Sequence, residues 1–158
     1  MKDTKRARIE AEVAKLPLLF ALYADNGDHE ALAELFTEDC SYARPFQPAY
    51  PFHGRAAVQA IFRDRKPILV RHVVTNVLVE VLSEHEARGT NYLTMLSSHA
   101  GIDAPQPATT LYVGGFEDHY VKTEGRWRFM SRTGMVALHL GGDMPKIPAP
   151  TDQARGLT

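Results

Sequence analysis

Apolar positions in the first part of the chain recur with the period of a helix. Near residues 5–24 they return every three or four positions, which predicts one apolar helix face. The same spacing predicts helices at about 29–37 and 54–66. Asp28 is expected to cap the second helix, and Pro17 is expected to kink the first.

From residue 69 onward the apolar positions recur with a period of two, which is typical of β-strands. A short strand at about 39–45 separates the second and third helices, and residues 46–54 are interpreted as a loop. Four longer strands are predicted at about 69–82, 86–99, 109–122 and 126–138, with hairpin turns at 83–86 and 123–125. Helices followed by a β-meander predict an α+β fold, in which helices cover one face of a mostly antiparallel sheet and enclose a pocket.

Length and composition favour a single domain without a cofactor. The chain has 158 residues, which supports one domain at 1–140, followed by an extended, Pro-rich tail at 141–158. A net charge of −1 gives no reason to expect nucleic-acid or membrane partners. The single cysteine excludes an internal disulfide, no histidine pair has the spacing of a helical metal site, and the N-terminus lacks a secretion signal. We therefore expect a cytoplasmic protein without metal or cofactor.

One histidine interrupts the β-branched stretch at 70–81. Strict alternation would place His72 with Val74, Asn76 and Leu78 on the inner face, and Val73 with Thr75, Val77 and Val79 on the outer face. The outer row is apolar and offers a surface that a partner could cover. His72 is interpreted either as a core histidine satisfied by hydrogen bonds or as a functional residue.

Asp25 is the candidate partner of His72. It follows the apolar face of the first helix, and because Asp28 already serves as a cap, Asp25 is free to point inward. A carboxylate on one ring nitrogen would fix the tautomer, and the pair would act as a general base. The alternative interpretation of Asp25 is an ordinary turn aspartate.

Three further side chains are candidates for contact with a substrate. Arg132, in the middle of the last strand, either stabilises negative charge that develops during a reaction or forms a salt bridge with Asp118 or Glu117. The alternation also predicts that Phe129 points away from Arg132. Tyr23 and Tyr42 either donate hydrogen bonds to a substrate oxygen or line the core.

Segments 23–42, 71–81 and 114–132 together carry a resemblance to a known family. Over about residues 8–138 the chain resembles the SnoaL-like group of the NTF2-like superfamily, in particular its scytalone dehydratase and hexachlorocyclohexane dehydrochlorinase branch. The resemblance implies a cone-shaped, curved sheet closed by three N-terminal helices, a homodimer or homotrimer, and an Asp25–His72 catalytic dyad. It also implies that Arg132 lies near a leaving group, and that the pocket is lined by Leu93, Met95, Tyr112, Phe116 and Met135.

The match to this branch is partial. The lysine of the dehydrochlorinases corresponds to Phe20 here, and the second pocket histidine of the dehydratases corresponds to about Ser97, with His99 two residues on. Their substrate-polarising tyrosines fall near Ala24 and Arg44. We therefore expect neither scytalone as a substrate nor chloride elimination.

Three functions remain after this comparison of residues. The first is a cofactor-independent lyase, with dehydratase-type elimination from a small hydrophobic, aromatic or alicyclic molecule. The second is an isomerase or cyclase that uses the same base to move a proton. The third is a protein that binds a small molecule without chemistry.

Overall fold

The computed structural model describes residues 1–98, 101–140, 144 and 146–157. The helices are α1 (Asp3–Val13), α2 (Lys15–Asn26), α3 (His29–Glu34), α4 (Arg55–Arg63) and α5 (Asp152–Arg155). The strands are β1 (Phe36–Ala43), β2 (Phe52–His53), β3 (Leu69–Val81), β4 (Glu86–Ser98), β5 (Thr110–Thr123) and β6 (Arg126–Leu140). In this part of the chain, no helix is long and apolar enough to cross a membrane.

The six strands form one mixed sheet in the order β2–β1–β6–β5–β4–β3. Strands β3 to β6 are the predicted meander, in which each strand pairs antiparallel with the next. Strand β1 returns to pair parallel with β6. The α+β fold with a curved sheet is confirmed, although β2 and β3 remain as edges and the sheet does not close into a barrel.

The predicted first helix is two helices that meet at Ala14. The break therefore precedes Pro17 instead of lying at it. Pro17 is the third residue of α2, where a backbone N–H has no acceptor within the helix, so its missing N–H leaves no hydrogen bond unmade. Asp28 caps α3 as predicted, since its carboxylate accepts a hydrogen bond of 3.0 Å from the Ala31 N–H.

Other predicted boundaries differ by a few residues. Helix α3 ends at Glu34 and the chain enters β1 at Phe36, so the second predicted helix is shorter and the strand starts earlier. The segment interpreted as a loop contains β2, which pairs with the end of β1. Helix α4 ends at Arg63, three residues before the predicted position.

A β-bulge in β3 reverses the predicted faces of its second half. The pairing with β4 shifts between Thr75 and Leu78, and Asn76 lies in the left-handed region at φ 52°. Because the bulge adds one residue, the side chains after it change sides. Val79 therefore packs against the core, and Leu78, which was predicted to point inward, is 70% exposed.

A second bulge changes the faces of β6. His119 pairs with Ser131 and Tyr120 pairs with Phe129, which leaves Met130 as the extra residue. Phe129 and Arg132 are consequently both buried, and their side chains contact each other. The prediction that Phe129 points away from Arg132 is wrong for this reason.

The described part of the tail lies against the domain. It was predicted to be extended, and it contains the short helix α5. Gln47 donates hydrogen bonds to the carbonyls of Ile147 (3.0 Å) and Pro148 (2.8 Å), and Arg155 donates to the carbonyl of Pro51 at 3.0 Å. Gln47 thereby holds the tail beside the segment that follows β1.

Candidate active site

A cavity of about 450 Å³ lies between the helices and the inner face of the sheet. Helix α2 contributes Phe20 and Ala24 to its wall, and α4 contributes Ile61 and Phe62. The sheet contributes His72 and five residues predicted for the pocket: Tyr42, Leu93, Met95, Tyr112 and Phe116. Met135, the sixth, borders the cavity, but its pairing with Gly115 places it on the outer face and it is 48% exposed. The wall is mostly apolar and aromatic, which is typical of a small-molecule site.

His72 and Asp25 form a close pair at the wall of this cavity. His72 Nδ1 lies 2.5 Å from Asp25 Oδ1, and the His72 backbone N–H donates to Oδ2 at 3.0 Å. The side chains of His72 and Asp25 are only 10% and 8% exposed. One carboxylate thus holds both the backbone and the ring of the same residue.

The position of Asp25 in α2 explains how it reaches the strand. Asp25 lies in the last turn of α2, and this helix packs against β3. The cap of the following helix is provided by Asp28, so the Asp25 carboxylate is not used in the turn. The alternative of an ordinary turn aspartate is therefore not what the structure shows.

The contact with Asp25 determines which ring nitrogen of His72 is available. Since Asp25 accepts hydrogen bonds, Nδ1 is the nitrogen that carries the hydrogen. Among the described residues, no protein group forms a hydrogen bond with Nε2 of His72, and His72 lines the cavity. Nε2 is therefore available to accept a proton from a bound molecule.

Tyr42 adds a hydrogen-bond donor to the cavity. Its side chain is 3% exposed, and burial raises the pKa of Tyr42 to about 12. The phenol is therefore neutral at physiological pH, and its hydroxyl has no hydrogen-bond partner in the described part of the chain. Tyr23 packs against the core but does not line the cavity, so its predicted substrate contact is not seen.

Arg132 is fully buried behind the cavity wall. It donates a 2.6 Å hydrogen bond to Asp118, and both side chains have no exposed area. Its guanidinium carbon lies 3.7 Å from the centre of the Phe116 ring, which separates it from the cavity. Of the two interpretations of Arg132, the structure shows the salt bridge, and direct contact with a ligand would require Phe116 to move.

Asp118 is the centre of this buried polar cluster. Tyr120 and Asn91 donate to the same carboxylate oxygen as Arg132, at 2.9 Å and 3.0 Å. Burial raises the pKa of the Asp118 carboxyl, and the charge of Arg132 opposes that shift. Through Arg132, this cluster is in contact with the ring of Phe116.

Several residues that line the cavity were not predicted from the sequence. Arg44, Phe46, Arg65 and Ile147 line it, and all four lie outside the long strands. Arg44 is two positions after Tyr42, which would place both on the same face of an extended chain, and this spacing could have identified it.

Ser97, near the end of β4, does not line the cavity. Ser97 is buried and pairs with the Thr110 hydroxyl. His99 lies outside the described residues.

Comparison with known proteins identifies both family and fold. The model of the SnoaL-like domain family matches residues 5–133. A candidate scytalone dehydratase from Novosphingobium aromaticivorans is similar in structure, with a TM-score of 0.76, 21% identity, and coverage of 94% of this chain and 95% of that chain. No curated protein sequence matches.

Two further solved structures share the fold. A type 2 hexachlorocyclohexane dehydrochlorinase (LinA) has a TM-score of 0.73 and 17% identity, with coverage of 92% of this chain and 100% of that chain. A protein of unknown function with a cystatin-like fold, from Nostoc punctiforme, has a TM-score of 0.65 and 18% identity, with coverage of 80% and 90%. At these identities the similarities establish the fold alone.

Measurement of the His72 tautomer tests the contact between His72 and Asp25 without a substrate. We expect neutral His72 to carry its hydrogen on Nδ1, and Asp25→Ala to shift it to the Nε2–H form that free histidine favours in water. Long-range nitrogen–proton NMR correlations distinguish the two forms. The exposed His85 is the internal control and should not change. An Nε2–H form in the unmodified protein would contradict the geometry.

The buried salt bridge predicts a large difference between two neighbouring carboxylates. Asp118→Ala leaves the Arg132 charge buried without a partner and should lower the free energy of unfolding by about 3–5 kcal/mol. Glu117→Ala, at an exposed position on the same strand, should change it by less than about 0.5 kcal/mol. Urea denaturation measures both, and equal effects would show that the pair does not support the fold.

Proposed function

Since the chain belongs to the SnoaL-like domain family, we propose that it is a cofactor-independent lyase. In this proposal, His72 removes a proton from a carbon atom of a small aromatic or alicyclic molecule, and water is eliminated. The observation that carries the proposal is the 2.5 Å contact between His72 and Asp25 at the wall of an apolar cavity.

The proposed reaction uses the two nitrogens of His72 differently. Nε2 accepts the proton of the carbon acid, and the electrons of the broken C–H bond form a carbon–carbon double bond. The C–O bond to the leaving hydroxyl breaks, and the hydroxyl takes the proton from Nε2 and leaves as water. Asp25 keeps the ring oriented and stabilises the imidazolium that forms between these steps.

Tyr42 is the proposed electrophilic partner. Its neutral hydroxyl would donate a hydrogen bond to a carbonyl oxygen next to the reacting carbon. Negative charge develops on that oxygen as the proton leaves, and the low polarity of the cavity strengthens the interaction. Arg132 contributes indirectly, because it fixes the ring of Phe116 in the wall.

The same groups also support an isomerase or cyclase. A buried tyrosine donor with a histidine base suits an enol intermediate, which can be reprotonated at another carbon instead of losing water. The mass of the product separates the two reactions, since an isomer keeps the mass of the substrate and elimination removes the mass of water. Binding without turnover would favour the third, non-catalytic function.

Substitution of the pair tests the proposed catalysis. We expect His72→Gln and Asp25→Asn each to lower kcat by about 10²- to 10⁴-fold, because the first removes the base and the second removes the carboxylate that orients it. Turnover is measured by mass spectrometry on a panel of cyclic β-hydroxy ketones. The control Tyr23→Phe, outside the cavity, should keep the original rate. Wild-type rates in both pair variants would exclude the dyad.

We also propose that copies of this chain associate through the outer face of the sheet. Two neighbouring cross-strand rows run through Val73–Thr94–Val113–Leu138 and Thr75–Tyr92–Gly115–Met135. Val73, Tyr92 and Leu138 on these rows are 48%, 61% and 67% exposed. A contiguous exposed apolar surface of this kind suits a second copy of the same sheet.

Mass measurement in solution tests this assembly. The protein should have the mass of a dimer or trimer by size-exclusion chromatography with light scattering, and Leu138→Lys should shift it to the monomer because a charge would be buried at the interface. Leu18→Lys is the matched control, since Leu18 is 48% exposed on α2. A monomeric wild-type protein would contradict the proposal.

A further inference from the structure

Arg44 presents an unpaired positive charge to the cavity. It is half-buried, and among the described residues no carboxylate forms an ion pair with it. Its Nη2 donates to Gln47, its guanidinium lies 5.1 Å from the centre of the Phe52 ring, and its Nε is buried without a partner. Nη1 therefore remains as a donor without a protein acceptor in the described chain.

The carboxylates near the cavity are all engaged elsewhere. Asp25 binds His72, and Asp118 binds Arg132. Asp64, on the cavity wall, accepts hydrogen bonds from Arg63 at 2.7 Å and 3.0 Å. The second arginine of the wall, Arg65, donates to the carbonyl of Ala24 at 2.9 Å. The cavity thus contains two arginines and no carboxylate free to neutralise them.

A half-buried cation without a counter-charge is costly to maintain. Burial lowers the pKa of Arg44, which reflects the loss of water around the guanidinium. An anionic group on a bound molecule would restore the missing interaction, and arginine donors are well suited to carboxylate-like oxygens.

Gln47 holds Arg44 in this position. Its side chain is 6% exposed, and its amide nitrogen donates to the carbonyls of Ile147 and Pro148. Since the nitrogen faces the tail, the amide oxygen must face Arg44, where it accepts the hydrogen bond from Nη2. The orientation of Arg44 is therefore built into the fold by a buried residue.

We propose that Arg44 recognises an anionic oxygen group, such as a carboxylate, on the apolar molecule that occupies the cavity. The inference rests on the proposed function in one respect, that the same molecule presents its reacting carbon to His72. In this arrangement the anionic group lies against Arg44, and the apolar ring contacts the aromatic wall to which Phe62 and Phe116 belong. The substrate class is thereby narrowed to aromatic or alicyclic acids.

Two fluorescent probes with the same skeleton test this inference directly. One is 8-anilinonaphthalene-1-sulfonate, an aromatic anion, and the other is N-phenyl-1-naphthylamine, which lacks the sulfonate. We expect Arg44→Met to weaken binding of the anionic probe about tenfold, because it removes a charge-assisted hydrogen bond, and to leave the neutral probe within about twofold. Fluorescence titration gives both dissociation constants.

Two further variants test whether the change in probe binding arises from Arg44 and from the cavity. Arg126→Met removes the same charge from an exposed position near the β5–β6 turn, and it should change neither dissociation constant. Leu93→Trp places a larger side chain in the cavity and should weaken both probes. An unchanged anionic probe in Arg44→Met, an equal loss in Arg126→Met, or full binding of the anionic probe to Leu93→Trp would each overturn the inference.

The result can be separated from the test of catalysis. Both titrations are repeated in His72→Gln, whose cavity lacks the proposed base but keeps Arg44. If His72→Gln still shows a preference for the anionic probe over the neutral probe, this supports anion recognition even if no elimination is found. Loss of turnover in His72→Gln with no probe preference in any variant would support the lyase and overturn the role of Arg44.

Discussion

The contact between Asp25 and His72 fixes the end of α2 to the first part of β3, and the geometry of the cavity depends on it. A buried carboxylate is stable only when hydrogen-bond donors satisfy its oxygens. Here the backbone N–H and the ring of His72 are the donors to the two oxygens of Asp25. Because the backbone N–H of His72 holds the Asp25 carboxylate beside the ring, rotation of the imidazole would break the Nδ1 contact with that carboxylate. The constraint that holds the fold together at this point therefore also orients the ring.

The sequence predicted the parts of this arrangement that depend on local patterns. Alternation placed His72 on the inner face, and the cap at Asp28 left Asp25 free, so both could be identified before the structure was known. The errors begin where a strand adds a residue. The bulges at Asn76 and Met130 exchange inner and outer positions, and nothing in the β-branched and mixed stretches around them marks an extra residue.

The residues that were missed lie where the regular patterns stop. Arg44 follows the last residue of β1, and Ile147 belongs to the tail, so neither is part of a long periodic segment. Their position in the cavity results from tertiary contacts through Gln47, which joins the two segments across about a hundred positions of sequence. The salt bridge between Arg132 and Asp118 was one of the alternatives that the sequence left open. The contact of Arg132 with Phe116 could not be inferred, because the bulge at Met130 shifts the alternation in β6.

The distribution of hydrogen-bond partners around His72 differs from that expected of a core histidine. A histidine retained only for the core would have both ring nitrogens satisfied by protein groups, because each unsatisfied nitrogen costs about 1–3 kcal/mol. His72 has a strong partner on Nδ1, and within the described chain it has none on Nε2, which belongs to a ring that lines the cavity. The hydroxyl of Tyr42 and Nη1 of Arg44 share this property. Three polar groups of different chemistry are thus left without protein partners around one apolar cavity, which is the arrangement expected when a bound molecule completes their interactions.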